Sequence, residues 1–263
     1  MKIQVAASSY LNSAPLIWSF LQGPHEGSID FTEAVPARCA QLLAQSSVEV
    51  ALVPVIEYQR IAGGSLVPNV CVSSRKEVLS VVLVSKNKRL EDIRTVALDE
   101  SSRTSATLVK IIFREFLERE PEWTTRAPNL DAMLEQNDAA LIIGDPGMTF
   151  SRQGLNVWDM AGLWKQHTGL GFVFAMWMVR DDTTERARIV DFAGARDEGV
   201  AHIEEIVRSY QDKIPMRVEE LRNYLTENIV FNVDESMERG LRLYFELASK
   251  HNLIDGVKPL RFI

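Results

Sequence analysis

The feature that most constrains the fold is the alternation of short β-branched runs with amphipathic stretches along the first half of the chain. Residues 2–7 and 29–35 have the composition of strands, and a helical pattern follows each of them, the second beginning at Pro36. Strands that alternate with helices form parallel sheets, because the intervening helix lets consecutive strands run in the same direction. The sequence therefore predicts an α/β architecture with a largely parallel sheet.

Two apolar stretches interrupt this pattern and divide the chain. Residues 77–84 and 172–179 each have the hydrophobic character of a buried strand, and the residues between them form an α/β unit of their own. We expect a two-lobed protein in which residues 1–84 and 175–263 form the first lobe and residues 85–174 form the second. Such proteins bind small ligands in a cleft between the lobes, at the carboxyl ends of the strands.

Charge and hydrophobicity exclude two classes of partner. The chain has 29 Lys and Arg residues against 36 Asp and Glu residues, a formal net charge of -7, so no nucleic-acid partner is expected. The longest apolar run, residues 170–179, is shorter than the roughly 20 residues that cross a bilayer, so no membrane partner is expected. No secretory signal is recognised, and the protein is expected to be cytoplasmic. Cys39 and Cys71 lie in apolar surroundings and are expected to be buried free thiols.

The segment LDESSRTSATLVK, residues 98–110, concentrates polar groups at a predicted strand-to-helix junction. Four hydroxyls and one cation lie there: Ser101, Ser102, Arg103, Thr104 and Ser105. A helix start usually has one hydroxyl cap and often an acidic first turn, but no acidic residue follows here. Free helix amides, hydroxyls and a guanidinium together predict a site for a carboxylate or phosphate. The alternative is an ordinary helix cap with Arg103 in solvent.

Other predicted strand ends also carry polar side chains. In SSYLNSAP, residues 8–15, Asn12 is the strongest candidate for ligand contact because its amide both donates and accepts, although a plain helix cap explains the pattern equally well. The strand and turn AALIIGDPGM, residues 139–148, places Asp145 at the mouth of the second lobe, where Asp more often caps backbone amides. Ser80 is a hydroxyl in an apolar strand and therefore needs a partner or a cleft.

Common catalytic motifs do not occur in the sequence. It contains neither a GxSxG nucleophile elbow nor a P-loop, and GLG at residues 169–171 precedes a strand, whereas a dinucleotide fingerprint follows one. The four histidines lie apart, without the spacing of metal ligands: His25, His167, His202 and His251. The pattern favours a cleft that holds an anionic small molecule, and it identifies no nucleophile–base pair.

Several segments taken together resemble the chorismate dehydratase family of the futalosine route to menaquinone. The resemblance covers roughly residues 1–180 and rests on SSYLNSAP, PARCAQLLAQSSVEVALVPVIEYQRI, VLSVVLVSK, TVALDESSRTSATL, the IIGD turn and LWKQHTGLGFVFAMW. It implies the fold of a type II periplasmic binding protein, and a hydro-lyase that converts chorismate to 3-(1-carboxyvinyloxy)benzoate and water, the first step of that route. It implies no metal or organic cofactor, and chorismate, a small dicarboxylate, as the partner.

The resemblance also implies roles for individual residues. By motif, Asn12 and Ser80 are the expected catalytic residues, closest to the reacting ring. The expected substrate-binding residues are Ser9, Tyr10, Ser101, Ser102, Arg103, Thr104, Ser105, Gly144 and Asp145. Two segments depart from the family: this chain has GDPGM where the family has G-D-A-A/G-L, and TGLGF where the family has TGLPF. Pro146 and Gly171 are therefore expected to change backbone stiffness near the cleft.

The hypothesis for the chemistry is an elimination that makes the ring aromatic. A proton leaves the ring carbon that bears the enolpyruvyl ether, and the neighbouring hydroxyl departs. Because no His or Glu is obviously placed as a base, the side-chain carboxylate of the substrate is expected to take the proton, oriented by Asn12 and Ser80. Three alternatives stay open: a binding protein for a small carboxylate, the related 1,4-dihydroxy-6-naphthoate synthase, and a ligand-sensing module. The sequence does not determine the oligomeric state.

Overall fold

The computed structural model describes residues 2–263, in which two five-stranded sheets are surrounded by helices. The strands are β1 (Ile3–Ala7), β2 (Ile29–Glu33), β3 (Val50–Pro54), β4 (Gly64–Ser74), β5 (Val81–Ser85), β6 (Thr95–Asp99), β7 (Glu122–Arg126), β8 (Ala139–Ile143), β9 (Asn156–Asp159) and β10 (Phe172–Arg180). The α-helices are α1 (Ala14–Leu21), α2 (Pro36–Ala44), α3 (Glu57–Arg60), α4 (Thr104–Ile111), α5 (Leu130–Gln136), α6 (Pro146–Thr149), α7 (Met160–Thr168), α8 (Thr184–Ala187), α9 (Phe192–Ala201), α10 (Ile203–Tyr210), α11 (Val218–Asn223) and α12 (Glu235–Lys250). Short π-helical segments, Ile112–Phe116 and Tyr224–Asn228, extend α4 and α11.

Each sheet contains four strands that run in one direction and a fifth that is reversed. The first sheet has the order β2-β1-β3-β10-β4, and β10 is antiparallel to both of its neighbours. The second sheet has the order β7-β6-β8-β5-β9, and β5 is antiparallel to both of its neighbours. The predicted α/β class, with largely parallel sheets, is confirmed.

The reversed strands are the two that follow a crossing between the sheets. The chain passes from β4 to β5 through residues 75–80, and from α7 back to β10 through residues 169–171. Each of these strands follows an element that belongs to the other sheet, so no βα crossover within its own sheet fixes its direction. It can therefore run antiparallel to its neighbours.

The sheet that contains β5 differs from the sequence-based expectation. The predicted boundary at residue 84 placed Val81–Val84 in the first lobe, but β5 pairs with β8 and β9 of the second sheet. All of its residues are buried, so its apolar run fits either sheet equally well and the sequence could not assign it. The bounds of the two lobes as wholes stay a prediction.

A second difference concerns residues 157–167, whose sequence pattern predicts one helix, because residues 157–159 do not belong to it. They end β9 instead, with Val157 opposite Val84 and Trp158 opposite Leu83, and helix α7 begins only at Met160. Strand β7 and helix α5 were not predicted. β7 is a half-exposed edge strand with the sequence EWTTR, so it lacks the apolar run that marks a buried strand.

An aromatic cluster joins the helices to the second crossing. The rings of Trp164 on α7, Phe172 on β10 and Tyr244 on α12 contact one another nearly edge to face, with centroids 5.1–6.4 Å apart. The hydroxyl of Tyr244 donates to the carbonyl of Thr104 at 3.0 Å, so α12 contacts the start of α4 as well. Packing of these large buried rings holds the crossing segments against the C-terminal helices.

Two further expectations concern cysteines and membrane segments. Cys39 and Cys71 are buried free thiols, as predicted. Among the helices of residues 2–263, none has the length and apolar character needed to span a membrane.

Candidate active site

A cavity of about 580 Å³, its open mouth included, lies between the two sheets. Its polar wall comes from residues 8–13 after β1, residues 101–105 after β6 and Gly144 after β8, all at the carboxyl ends of strands. Its apolar wall includes Pro36, Leu52, Pro54, Val72, Ile143 and Phe174.

Most of the predicted site residues line this cavity. They are Tyr10, Asn12, Ser101, Ser102, Arg103, Thr104, Ser105 and Gly144. Within the described chain, Ser9, Ser80 and Asp145 do not line this cavity: Ser9 and Asp145 line an adjoining pocket with Tyr10, and the fully buried Ser80 lies in sequence between two residues of the cavity wall, Val78 and Val81. The binding and catalytic roles expected for all of these residues stay predictions, and the contacts below give the physical basis on which each can act.

Helix α4 begins at the cavity without a side-chain cap or an acidic residue in its first turn. The first N–H groups of a helix have no acceptor within the helix, and the helix dipole makes this end positive. The exposed Arg103 precedes the helix and makes no ion pair among residues 2–263. The ordinary helix cap that the sequence left open is therefore not formed, and the wall here suits an anion.

Asp99, the last residue of β6, determines the role of Ser101. Its Oδ1 accepts hydrogen bonds from the Ser101 N–H at 2.9 Å and from the Ser101 hydroxyl at 2.6 Å. Because a hydroxyl has a single proton, Ser101 can act only as an acceptor toward any further partner. Burial raises the pKa of Asp99 and that of Tyr10. Sequence analysis did not select Asp99, whose only signal was its position at a strand end.

Ser102 differs from its neighbour because its hydroxyl is uncommitted. The side chain is 6% exposed, and its oxygen has no hydrogen-bond partner within residues 2–263. Thr104 accepts from the N–H of Ile56 at 3.3 Å and so retains its own proton for donation. A buried hydroxyl without a partner costs about 1–3 kcal/mol. Both hydroxyls can therefore donate to a group from outside the chain.

A row of hydrogen bonds fixes the amide of Asn12 on the opposite wall. Ser13 donates its proton to Asn12 Oδ1 at 3.1 Å. Ser8 lies 3.0 Å from the Ser13 hydroxyl and must be the donor there, because the Ser13 proton is already used. The amide oxygen of Asn12 is thus occupied from one side, which leaves the amide NH₂ as the donor for other partners.

Tyr224 lies beside the two predicted catalytic residues. Its hydroxyl donates to Ser80 Oγ at 2.7 Å and lies near the side chain of Asn12. The side chain is 1% exposed, and burial raises the pKa of its phenol. Sequence analysis missed Tyr224, because it comes from the C-terminal helices, where no motif was recognised.

The backbone that carries Ser80 is strained and tightly held. Leu79 has a φ of +61°, which is unfavourable for a residue with a branched side chain. Asp159 Oδ2 accepts from the N–H groups of Val78 and Leu79 at 3.0 and 2.7 Å and stabilises this conformation. A Cβ at Gly147 would lie 2.6 Å from the Ser80 carbonyl oxygen. Gly147, the second glycine of the GDPGM segment, therefore permits the close approach of its backbone to that of Ser80.

The turn after β8 contacts the loop after β1 at two points. Asp145 Oδ1 accepts from the N–H of Leu11 at 3.0 Å. Gly144 has a φ of +69°, and a Cβ there would lie 2.8 Å from the ring of Tyr10. Only glycine therefore lets Tyr10 lie against this turn. Sequence analysis predicted that Asp145 caps a backbone amide or binds substrate, and in the structure it caps Leu11.

The second departure from the family pattern has its own physical basis. The N–H of Gly171 donates to Ser236 Oγ at 3.0 Å, and its carbonyl accepts from Trp164 Nε1 at 3.2 Å. Proline at this position could not make the first of these bonds. A Cβ at Gly240 would lie 2.1 Å from the Gly171 carbonyl oxygen, so α12 packs directly on this segment. The departure thus lies at the second crossing and not on the cavity wall.

Asp145 gives the protein a pH-dependent stability that can be measured. Burial raises its pKa from 3.8 to about 6, so between these values the folded state binds more protons than the unfolded state, and stability falls as pH rises. The Asp145→Asn variant keeps a side-chain oxygen that can accept from the N–H of Leu11, but its side chain does not titrate. From pH 4 to pH 7 we expect the variant to gain stability relative to wild type, by up to about 3 kcal/mol in urea unfolding. A difference that does not vary with pH would contradict this assignment.

The sequence and the fold were then compared with known proteins. Residues 3–250 match a protein family described as Menaquinone biosynthesis. A chorismate dehydratase of Thermus thermophilus is 29% identical over 232 residues, which cover 81% of this chain and 84% of the relative. A crystal structure of an Archaeoglobus fulgidus protein gives a TM-score of 0.79 at 18% identity, covering 96% of this chain and 98% of the other.

The fold comparison extends to transport proteins. The periplasmic aliphatic sulphonate binding protein of Escherichia coli gives a TM-score of 0.65 at 14% identity, covering 100% of this chain and 94% of the other. The expected two-lobed, periplasmic-binding-protein-like fold is confirmed by this likeness. Since the family match spans nearly the whole sequence, the chain belongs to the menaquinone biosynthesis family.

Proposed function

We propose that this protein is a chorismate dehydratase, which removes water from chorismate to give 3-(1-carboxyvinyloxy)benzoate in the futalosine route to menaquinone. The observation that carries the proposal is the family match over residues 3–250, together with a relative that bears this activity in its name. The cavity supports it, because its hydroxyl, amide and helix-end donors suit a small dicarboxylate. The proposal includes a cytoplasmic location, in keeping with a biosynthetic role.

The ring carboxylate of chorismate is assigned to the start of α4. Ser102 and Thr104 have protons to donate, and the helix N–H groups lie beside them. Arg103 adds a positive charge at the cavity wall. The ring carbon that bears the ether is conjugated with this carboxylate through a ring double bond, so negative charge builds on the carboxylate as that carbon loses its proton. Donors fixed here therefore stabilise the transition state more than the bound substrate.

The enolpyruvyl carboxylate is assigned to the opposite wall, beside Asn12. An amide NH₂ and a serine hydroxyl can hold a carboxylate by donating to it, and they remain uncharged while they do so. The carboxylate held in this way takes the proton from the ring carbon that bears the ether. The C–O bond of the hydroxyl on the adjacent ring carbon then breaks, the departing hydroxide takes the proton from the protonated carboxyl group and leaves as water, and the ring becomes aromatic.

The central test is incubation of the purified protein with chorismate, with and without a chelator, followed by mass determination of the product. We expect a product that is lighter by one water, at the same rate with chelator present. Asn12→Ala is expected to lower kcat/KM by about 100-fold or more, because a donor aimed at the reacting carboxylate is lost. Binding without turnover by wild type would favour the small-carboxylate binding protein, and the absence of product would overturn the proposal.

The uncommitted hydroxyl of Ser102 gives a second test. Ser102→Ala is expected to lower kcat/KM by about 10- to 100-fold, the value of a hydrogen bond to a charged group, while the melting temperature does not fall. Ser101→Ala is the matched control, since it removes the hydroxyl's bond to Asp99 and should lower the melting temperature. A Ser102→Ala variant with an unchanged kcat/KM would show that this hydroxyl does not bind substrate.

A further inference from the structure

The hydroxyl of Tyr224 is used differently from those of the other buried tyrosines. Tyr58, Tyr210 and Tyr244 donate to the backbone carbonyls of Pro259, Ser9 and Thr104, at 2.6, 2.7 and 3.0 Å. Tyr224 instead donates to a side chain, Ser80 Oγ, at 2.7 Å. A tyrosine that served only to fill the core would not need this side-chain partner.

The hydrogen bonds around Tyr224 run in one direction. Ser13 donates to Asn12 Oδ1, so the Asn12 NH₂ is the group that faces other partners. Tyr224 donates its own proton to Ser80. The hydroxyl proton of Ser80 and the amide protons of Asn12 then remain uncommitted.

The fixed backbone at Ser80 leaves only its hydroxyl to be oriented. Leu79, with its φ of +61°, and the bonds from Val78 and Leu79 to Asp159 hold the main chain in place. The Ser80 side chain is fully buried. Without a donor to its oxygen, the hydroxyl could turn its proton toward any neighbouring acceptor. The Tyr224 proton occupies one lone pair of that oxygen and so directs the Ser80 proton away from Tyr224.

We propose that Tyr224 is a positioning residue of the active site, whose hydrogen bond makes Ser80 a donor toward the substrate carboxylate that acts as the base, while Ser13 orients the Asn12 amide near it. The inference rests on the proposed dehydratase function. It assigns a role to a residue from the C-terminal helices, which the recognised motifs do not include. Tyr224 acts through Ser80 and need not touch the substrate.

The first test is the steady-state kinetics of Tyr224→Phe with chorismate. We expect kcat to fall by about 10- to 100-fold and KM to change by less than about threefold, because the base is misoriented while the α4 end of the site is intact. Tyr58→Phe is the matched control, since its hydroxyl is also buried and bonds to Pro259 and to the N–H of Arg261, away from the cavity. It should lower the melting temperature and leave kcat of the folded enzyme unchanged.

A double-mutant cycle separates positioning from a structural role. If Tyr224 acts through Ser80, then Tyr224→Phe/Ser80→Ala should be no slower than Ser80→Ala alone. If the reductions in kcat of the two single variants multiply in the double variant, the two residues act independently, and the role of Tyr224 in orienting the Ser80 hydroxyl would be overturned. A kcat equal to that of wild type in Tyr224→Phe would overturn it as well.

The Ser13→Ala variant keeps the inference testable if Tyr224→Phe does not fold. It removes the donor to Asn12 Oδ1 and leaves Tyr224 in place, so the amide can rotate, and kcat should fall with little change in KM. An unchanged kcat would overturn the proposed orientation of Asn12. Wild-type turnover of chorismate separates the two levels: if wild type is active and these variants are equally active, only the inference fails, whereas an inactive wild type overturns the function and the inference together.

Discussion

The site depends on the fact that each buried hydroxyl has only one proton to donate. Ser101 gives its proton to Asp99, Ser13 gives its proton to Asn12, and Tyr224 gives its proton to Ser80. Once these protons are assigned, the donors left for a ligand are few and separated: Ser102 and Thr104 at the start of α4, and Asn12 and Ser80 on the other side. A dicarboxylate can place one carboxylate against each of these two groups of donors. Because one of those carboxylates acts as the base, the site does not need a charged side chain of the protein for that role.

A second set of hydrogen bonds holds the two sheets in position around the cavity. Leu11 donates to Asp145, Ile56 donates to Thr104, and the hydroxyl of Tyr244 bonds to the start of α4. Each joins an element of the first sheet or the C-terminal helices to one of the second sheet. A change in the separation of the sheets would therefore break bonds that orient the site, so ligand binding and the relative position of the sheets are coupled.

Sequence alone predicted the class of fold and the segments that meet at the cavity, because strand ends and hydroxyl density are local signals. The cluster at residues 101–105 and the loop at residues 8–13 were both selected in this way. Tyr224 was missed because it lies 144 residues from Ser80 and its role exists only through that long-range contact. Val81–Val84 were placed with the first lobe for a related reason: a buried apolar run does not encode which sheet it joins. The opposite roles of Ser101 and Ser102 depend on the buried position of Asp99, which spacing does not reveal.

The most direct test of this account is a crystal structure of the protein with 3-(1-carboxyvinyloxy)benzoate bound. The account predicts the ring carboxylate at the start of α4, with Ser102 Oγ within about 3.2 Å of one of its oxygens, and the enolpyruvyl carboxylate within the same distance of the Asn12 amide nitrogen. Ser101 should keep its bond to Asp99 and make none to the ligand. A ligand bound in the reverse orientation, or held by Ser101 while Ser102 has no contact with it, would contradict the proposed order of the site.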